Sequence, residues 1–91
     1  SRLMRVDYDP AKAAGNLRKH EVSFADAEGV LQDPMALTVE DRSSTGERRF
    51  VSIGLGSAGA LLLLVYTEHG DTYRLISARR PSRREREQYE S

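Results

Sequence analysis

The chain of 91 residues contains no cysteine and no tryptophan, and only two histidines. Without cysteine there is no disulfide, no thiolate metal site, no zinc knuckle and no cysteine nucleophile. His20 and His69 are too few for a histidine metal centre unless carboxylates complete it, and neither a metal nor another cofactor is expected. Net charge is missing too. Fourteen Lys and Arg against fourteen Asp and Glu leave a formal balance of zero, so no overall field draws the molecule to nucleic acid or to a membrane. The longest apolar run, Ala58 to Tyr66, falls well short of the ~20 residues of a membrane-spanning helix. The opening Ser-Arg-Leu-Met leads into charged sequence without a secretory leader, so Met4 is read as the native start, residues 1–3 as a remnant ahead of it, and the protein as cytoplasmic. No nucleophile elbow, P-loop or zinc-protease motif occurs, which leaves serine hydrolases, P-loop enzymes and zincins without support.

What is present is enough for one small core. A content of 38% hydrophobic and 31% charged residues lies in the globular range, and a chain this short holds a single domain, expected over residues 4–91. Met4, Val6 and Tyr8 alternate with Arg5 and Asp7 as in a half-buried strand. Asp9-Pro10 supplies a capping side chain followed by proline at the first helical position, which predicts a helix from Pro10 to about Lys19. Ser23 and Asp26 imitate a capping box, and Phe24, Ala27, Val30 and Leu31 recur at helical spacing up to Asp33-Pro34. Strands are then predicted at Met35–Glu40, Arg49–Leu55, Leu61–Thr67 and Thr72–Arg79. The third of these is the central one, and Asp41–Gly46, Gly54–Gly59 and His69–Asp71 connect them. Ser82 with Glu85 forms a Ser-x-x-Glu box ahead of a last helix, Arg83 to about Glu90. The order gives an α+β fold: an antiparallel β-sheet with two N-terminal helices packed on it and a short C-terminal helix.

The charges cluster locally. Arg74, Arg79, Arg80, Arg83, Arg84 and Arg86 fall within thirteen residues that contain one acid, Glu85. Arginine, planar and permanently charged, suits bidentate contact with phosphate, and Arg83 and Arg84 sit in the first turn of a helix, where the macrodipole disfavours cations. The other reading is a solvated helix end with Arg83 facing Glu87 and Arg86 facing Glu90. Lys19 and His20 close the first helix. They serve there either as ordinary complements to its dipole or, through an imidazole of the type that titrates near neutral pH, as a proton carrier. Glu47, beside Arg48 and Arg49, is either an exposed strand entry or a carboxylate held among arginines. His69 reads as a solvent-facing turn residue.

Several blocks resemble one family. They are Tyr8-Asp9-Pro10-Ala11-Lys12, Asn16-Leu17-Arg18-Lys19-His20, Val22-Ser23-Phe24 with Ala27, Asp33-Pro34, Glu47-Arg48-Arg49-Phe50 before Ile53-Gly54, and Val65-Tyr66-Thr67. To these the C-terminal part adds Arg74-Leu75-Ile76-Ser77-Ala78-Arg79 followed by Glu85-Arg86-Glu87-Gln88-Tyr89. In order and spacing, from Val6 to Tyr89, they resemble the BrnT toxins. The resemblance implies a RelE-like fold and a ribonuclease toxin of a type II toxin–antitoxin system that blocks translation. It also implies inhibition by a BrnA-type antitoxin, through which alone the toxin would reach operator DNA; no membrane partner is expected.

Cleaving RNA without a metal requires the ribose 2′-OH to lose its proton, the added charge on phosphorus to be stabilised, and the leaving 5′-oxygen to gain a proton. On the resemblance, Arg49 and Arg79 are expected on the scissile phosphate. Arg74, Arg80, Arg83 and Arg84 would bind RNA beside it, and His20 and Glu47 would transfer protons with Lys19 as charge partner. Simple strand alternation puts Ser77 and Arg79 on one face and Arg74 and Arg80 on the other, so one pocket can use both sets only if a bulge re-aims one of them. A reading of a different class is a non-catalytic module that binds the antitoxin and acts as corepressor.

Overall fold

Local chemistry decides where each element starts. In the computed structural model, which describes residues 4–42 and 46–91, the strands are β1 Arg5–Asp7, β2 Leu37–Asp41, β3 Arg48–Leu55, β4 Leu61–His69 and β5 Thr72–Arg79. The helices are α1 Pro10–His20, α2 Phe24–Ala27 and α3 Arg83–Glu90, and α2 runs on as a 3-10 turn over Glu28–Gln32. The expectations for residues 1–3 and for the middle of the Asp41–Gly46 loop lie outside the described residues.

The Asp9 side chain accepts the Ala11 N–H at 2.9 Å, and proline follows at the first helical position as predicted. Ser82 accepts the Glu85 N–H while the Glu85 carboxylate accepts the Ser82 N–H at 2.7 Å, a complete capping box. Ser23 makes only half of one. It accepts the Asp26 N–H, but the Asp26 side chain turns instead to the Ala58 N–H at 2.7 Å, while the Asp26 carbonyl accepts the Ser57 N–H. That grip makes the β3–β4 connection a fixed turn rather than the loose link its glycines suggest. Gly29 sits so close to the Ser57 backbone that an added Cβ would overlap it.

The sheet order is β1-β5-β4-β3-β2, with β4 central as expected. β2 through β5 form the antiparallel meander, whereas β1 pairs parallel to β5 through Arg5↔Thr72, Val6↔Tyr73 and Asp7↔Arg74. The sheet is therefore mixed, which corrects the all-antiparallel expectation. Short connections along the chain dictate the direction of β2 to β5, but none joins β1 to β5, because the rest of the sheet and two helices lie between them in the chain.

One face of the sheet holds the core. Leu62, Leu64, Tyr66, Leu75 and Ala78 pack with Val22, Phe24, Ala27 and Val30, and Tyr8 meets Phe24 edge to face at 5.2 Å. A chain of hydroxyls, from exposed Thr38 to buried Ser52 and Tyr66, crosses the same face at 2.7 and 2.8 Å. α1 closes the edge of β5 that the short β1 leaves open. The Asn16 amide donates to the Ala78 carbonyl at 2.8 Å and the Val22 carbonyl at 2.9 Å, and accepts the Ala78 N–H at 3.0 Å. The chain leaves α1 through Glu21 in the left-handed region, φ 58°, where its N–H still reaches the Leu17 carbonyl. Among the described residues no helix is long and apolar enough to cross a membrane.

Candidate functional site

The outer face, opposite the core, carries the polar chemistry. Residues directly opposite one another on neighbouring strands share a face. Asp41↔Arg49, Arg49↔Thr67, Thr67↔Arg74 and Arg74↔Asp7 therefore make one row across all five strands. The next row outward contains His69 and Thr72, which are themselves paired, and Arg5 opposite Thr72. Asp7, Glu47, His69, Thr72 and Arg74 line a hollow of about 280 Å³ there.

A bulge adds Arg79 to the same face. Val65 pairs with Ser77, but the next residue, Tyr66, pairs with Leu75, so Ile76 is supernumerary on β5. Alternation slips by one at that point. Arg74 pairs with Thr67 and Arg79 with Leu63, four residues apart on β4 and so on the same side. The sequence alone placed these arginines on opposite faces; the bulge brings them together.

Two atoms in the row stand out. Among the described residues, the Arg49 Nε and the Thr67 hydroxyl are the buried side-chain polar atoms without a hydrogen-bond partner, and the two residues are cross-strand neighbours. A buried donor left unsatisfied costs about 1–3 kcal/mol, so an adjacent pair of them on an otherwise satisfied sheet fits a ligand with acceptor oxygens. Arg74 flanks Thr67 on the other side, half exposed and only loosely paired with Asp7 at 3.7 Å. Two strand spacings put Arg49 and Arg74 roughly 10 Å apart at the backbone, a gap that two guanidinium groups can close on one anion.

The other sequence-predicted residues are distributed differently. Glu47 is an exposed strand entry, as one reading had it, with its carboxylate 3.3 Å from His69 Nδ1. Arg79 is committed to structure. Its guanidinium holds Glu85 in a bidentate pair at 2.9 and 3.0 Å and also donates to the Arg80 carbonyl. That pairing, with the Ser82 N–H, pulls the Glu85 carboxyl from 4.5 down to about 2 and raises the Arg79 pKa. α3 is pinned at its far end as well, where the Tyr89 hydroxyl donates to Asp33 at 2.7 Å. The Leu55 N–H and Tyr89 lower the Asp33 pKa, and Asp33 in turn raises that of Tyr89. Arg83 pairs with Glu87 at 3.5 Å, Arg84 is exposed, and Arg80 and Arg86 line a second hollow with Leu55, Leu61 and Tyr89. Lys19 and His20 line a third hollow with Lys12, Ile76 and Ser77 beside the bulge, separate from the one that holds Glu47.

The structure thus unites Glu47, Arg49 and Arg74 and sets Lys19 and His20 apart from them. Sequence reasoning passed over Thr67, Thr72, His69 and Asp7. His69 ends β4 instead of forming a turn, because the hairpin turn is only Gly70-Asp71, and a Gly-Asp pair between alternating runs was the signal for it. Among the described residues no three His, Asp or Glu side chains form a metal-ligand group.

Comparison with known proteins identifies the family. A family profile described as "Ribonuclease toxin, BrnT, of type II toxin-antitoxin system" matches residues 8–85. The chain belongs to the BrnT family. Its fold is similar to that of the Brucella abortus ribonuclease toxin BrnT, known from a 1.1 Å crystal structure, with a TM-score of 0.69 at 24% identity over 88% of this chain and 99% of that one. No match was found among curated proteins. The BrnT resemblance read from the sequence blocks is therefore a family membership, and the enzyme class it carries is ribonuclease.

Proposed function

We propose that this BrnT-family chain is a RelE-like endoribonuclease that cleaves RNA without a metal, on the outer face of the sheet, and so arrests translation in the cytoplasm. The adjacent unsatisfied Arg49 Nε and Thr67 hydroxyl carry the reading. With Arg74 they offer hydrogen bonds and two positive charges to a backbone phosphate, and the charge that builds on phosphorus in the transition state strengthens those contacts. Arg49 and Arg74 hold the scissile phosphate, while Arg79 supports the site by fixing α3. Glu47 takes part in proton transfer. Lys19 and His20, with Lys12, receive the RNA strand beyond the bulge, and Arg80, Arg83 and Arg84 hold its backbone near α3. A BrnA-type antitoxin silences the toxin by covering part of this arginine surface, and only that antitoxin takes the toxin to operator DNA.

The test compares RNA integrity and growth after induction of the wild type, Arg49→Met and Arg74→Gln, with solubility and thermal unfolding measured for each. RNA breakage and arrest with the wild type, lost in both folded variants, is the expected result. Intact RNA under soluble, folded wild-type protein overturns the reading and leaves the antitoxin-binding corepressor.

A further inference from the structure

We propose that His69 is the general base of the cleavage reaction and that Glu47 is the residue that positions it; this rests on reading the outer face as the ribonuclease site. His69 ends β4 two residues beyond Thr67, so both point to the same face about 7 Å apart along the strand. It thus stands one row away from the phosphate cradle of Arg49, Thr67 and Arg74. A 2′-OH lies roughly 3–3.5 Å from the phosphorus it attacks, and a side chain extending from the neighbouring row can span the remaining distance. The imidazole borders the hollow with Asp7, Thr72 and Arg74, and its Nδ1 faces Glu47 Oε2 at 3.3 Å.

With RNA bound, that contact closes into a hydrogen bond and sets the tautomer. An Nδ1–H donated to the carboxylate leaves Nε2 with its lone pair, the state a base requires, and the anionic partner stabilises the imidazolium once the proton has arrived. The step balances as follows. Nε2 takes the proton of the 2′-OH, the 2′-oxygen forms its bond to phosphorus, and the bond from phosphorus to the 5′-oxygen breaks. The leaving oxygen takes a proton from solvent water, which reaches this open face. The products end in a 2′,3′-cyclic phosphate and a 5′-OH. The charged groups on the same face around His69 are Glu47, Asp7, Arg74, Arg49 and Arg5.

The experiment measures kcat and KM against pH for the wild type, His69→Gln and Glu47→Gln. The probe is a synthetic RNA, free or in a translating extract, with a 2′-deoxy version at the cleaved position as control. His69 and Glu47 side chains are 79% and 51% exposed, so neither substitution is expected to disturb the fold, and thermal unfolding checks this. His69→Gln should lower kcat by about 100-fold or more with little change in KM, and abolish the acid limb of the pH profile. Glu47→Gln should lower kcat by about 10-fold with KM unchanged, because the imidazole loses the carboxylate that orients it. Cleavage by His69→Gln at the wild-type rate and pH dependence overturns the assignment while leaving the ribonuclease intact. So does cleavage of the 2′-deoxy RNA. A wild type inactive on both forms of RNA overturns the ribonuclease reading and this inference with it.

Discussion

Replacing Glu85 by Gln would show whether Arg79 is a structural or a catalytic arginine. The substitution removes the charge that Arg79 grips yet keeps a side-chain oxygen for the Ser82 N–H, so the capping box survives. The carboxyl is held at about 2 against an ordinary 4.5. At ~1.4 kcal/mol per unit this bounds the stabilisation near ~3 kcal/mol. The Arg79 side chain is 41% exposed and solvent screens the pair, which brings the expected value to about 1–1.5 kcal/mol. For a domain of this size that corresponds to a fall in Tm of roughly 5–10 °C at neutral pH. The sign follows from the depressed pKa: the contribution is complete above 4.5, where the unfolded carboxyl is also ionised, and disappears as pH falls through about 2. Thermal unfolding of wild type and variant between neutral pH and pH ~2 therefore gives curves that converge at the acid end. A Tm gap that persists there, or none at neutral pH, refutes the reasoning. Because the same pair anchors α3, Arg79→Ala frees that helix, and lost toxicity in that variant does not by itself place Arg79 on the RNA.

Asn16→Ala strips the partners from the Ala78 N–H and from the carbonyls of Ala78 and Val22, and should cost about 3–4 kcal/mol in a denaturant titration; a loss below ~1 kcal/mol would mean that water replaces the amide. Glu21→Gly relieves a left-handed residue at the end of α1 and should raise stability by about 0.5–1 kcal/mol, read as a higher midpoint at unchanged slope. Arg49→Met removes a buried unsatisfied donor, so its Tm should stay within ~3 °C of wild type or exceed it while RNA cleavage is lost; a large drop in Tm would show that Arg49 is a structural residue.

What the sequence disclosed and what it hid divide along the distance between interacting residues. The Asp9-Pro10 start and the Ser82-Glu85 box depend on neighbours within one turn, so local chemistry predicted them correctly. The 3.6-residue and two-residue periods likewise placed α1, β3, β4 and β5 to within a few residues. Non-local facts were out of reach. Asn16 acts on Ala78, 62 positions away, and nothing near Asn16 reveals that target. The parallel pairing of β1 depends on which edge of β5 stays open after the meander has formed. The candidate face was half legible: residue types and the resemblance singled out Glu47, Arg49 and Arg74, but it is cross-strand register, which the periodicity of a single strand does not carry, that puts them on one side, and the slip at Ile76 that adds Arg79 is equally hidden. Nor did residue spacing signal that Glu85, six positions on, grips Arg79.

The surplus residue Ile76 bears on how such a toxin can be disarmed. Every charge on the outer face tolerates gradual change, since a substitution removes one contact at a time and leaves the others in place. Deleting Ile76 changes no charge at all, and it changes no facing either: Leu75 already pairs with Tyr66 and Ser77 with Val65, so removal of the residue between them leaves Thr72, Arg74, Ser77 and Arg79 outward and Leu75 and Ala78 on the core. Loss of that one codon would thus leave the toxin armed, whereas loss of one from β4, whose pairing with β3 holds no surplus residue, turns half of that strand over and carries either Thr67 or the core leucines to the wrong face.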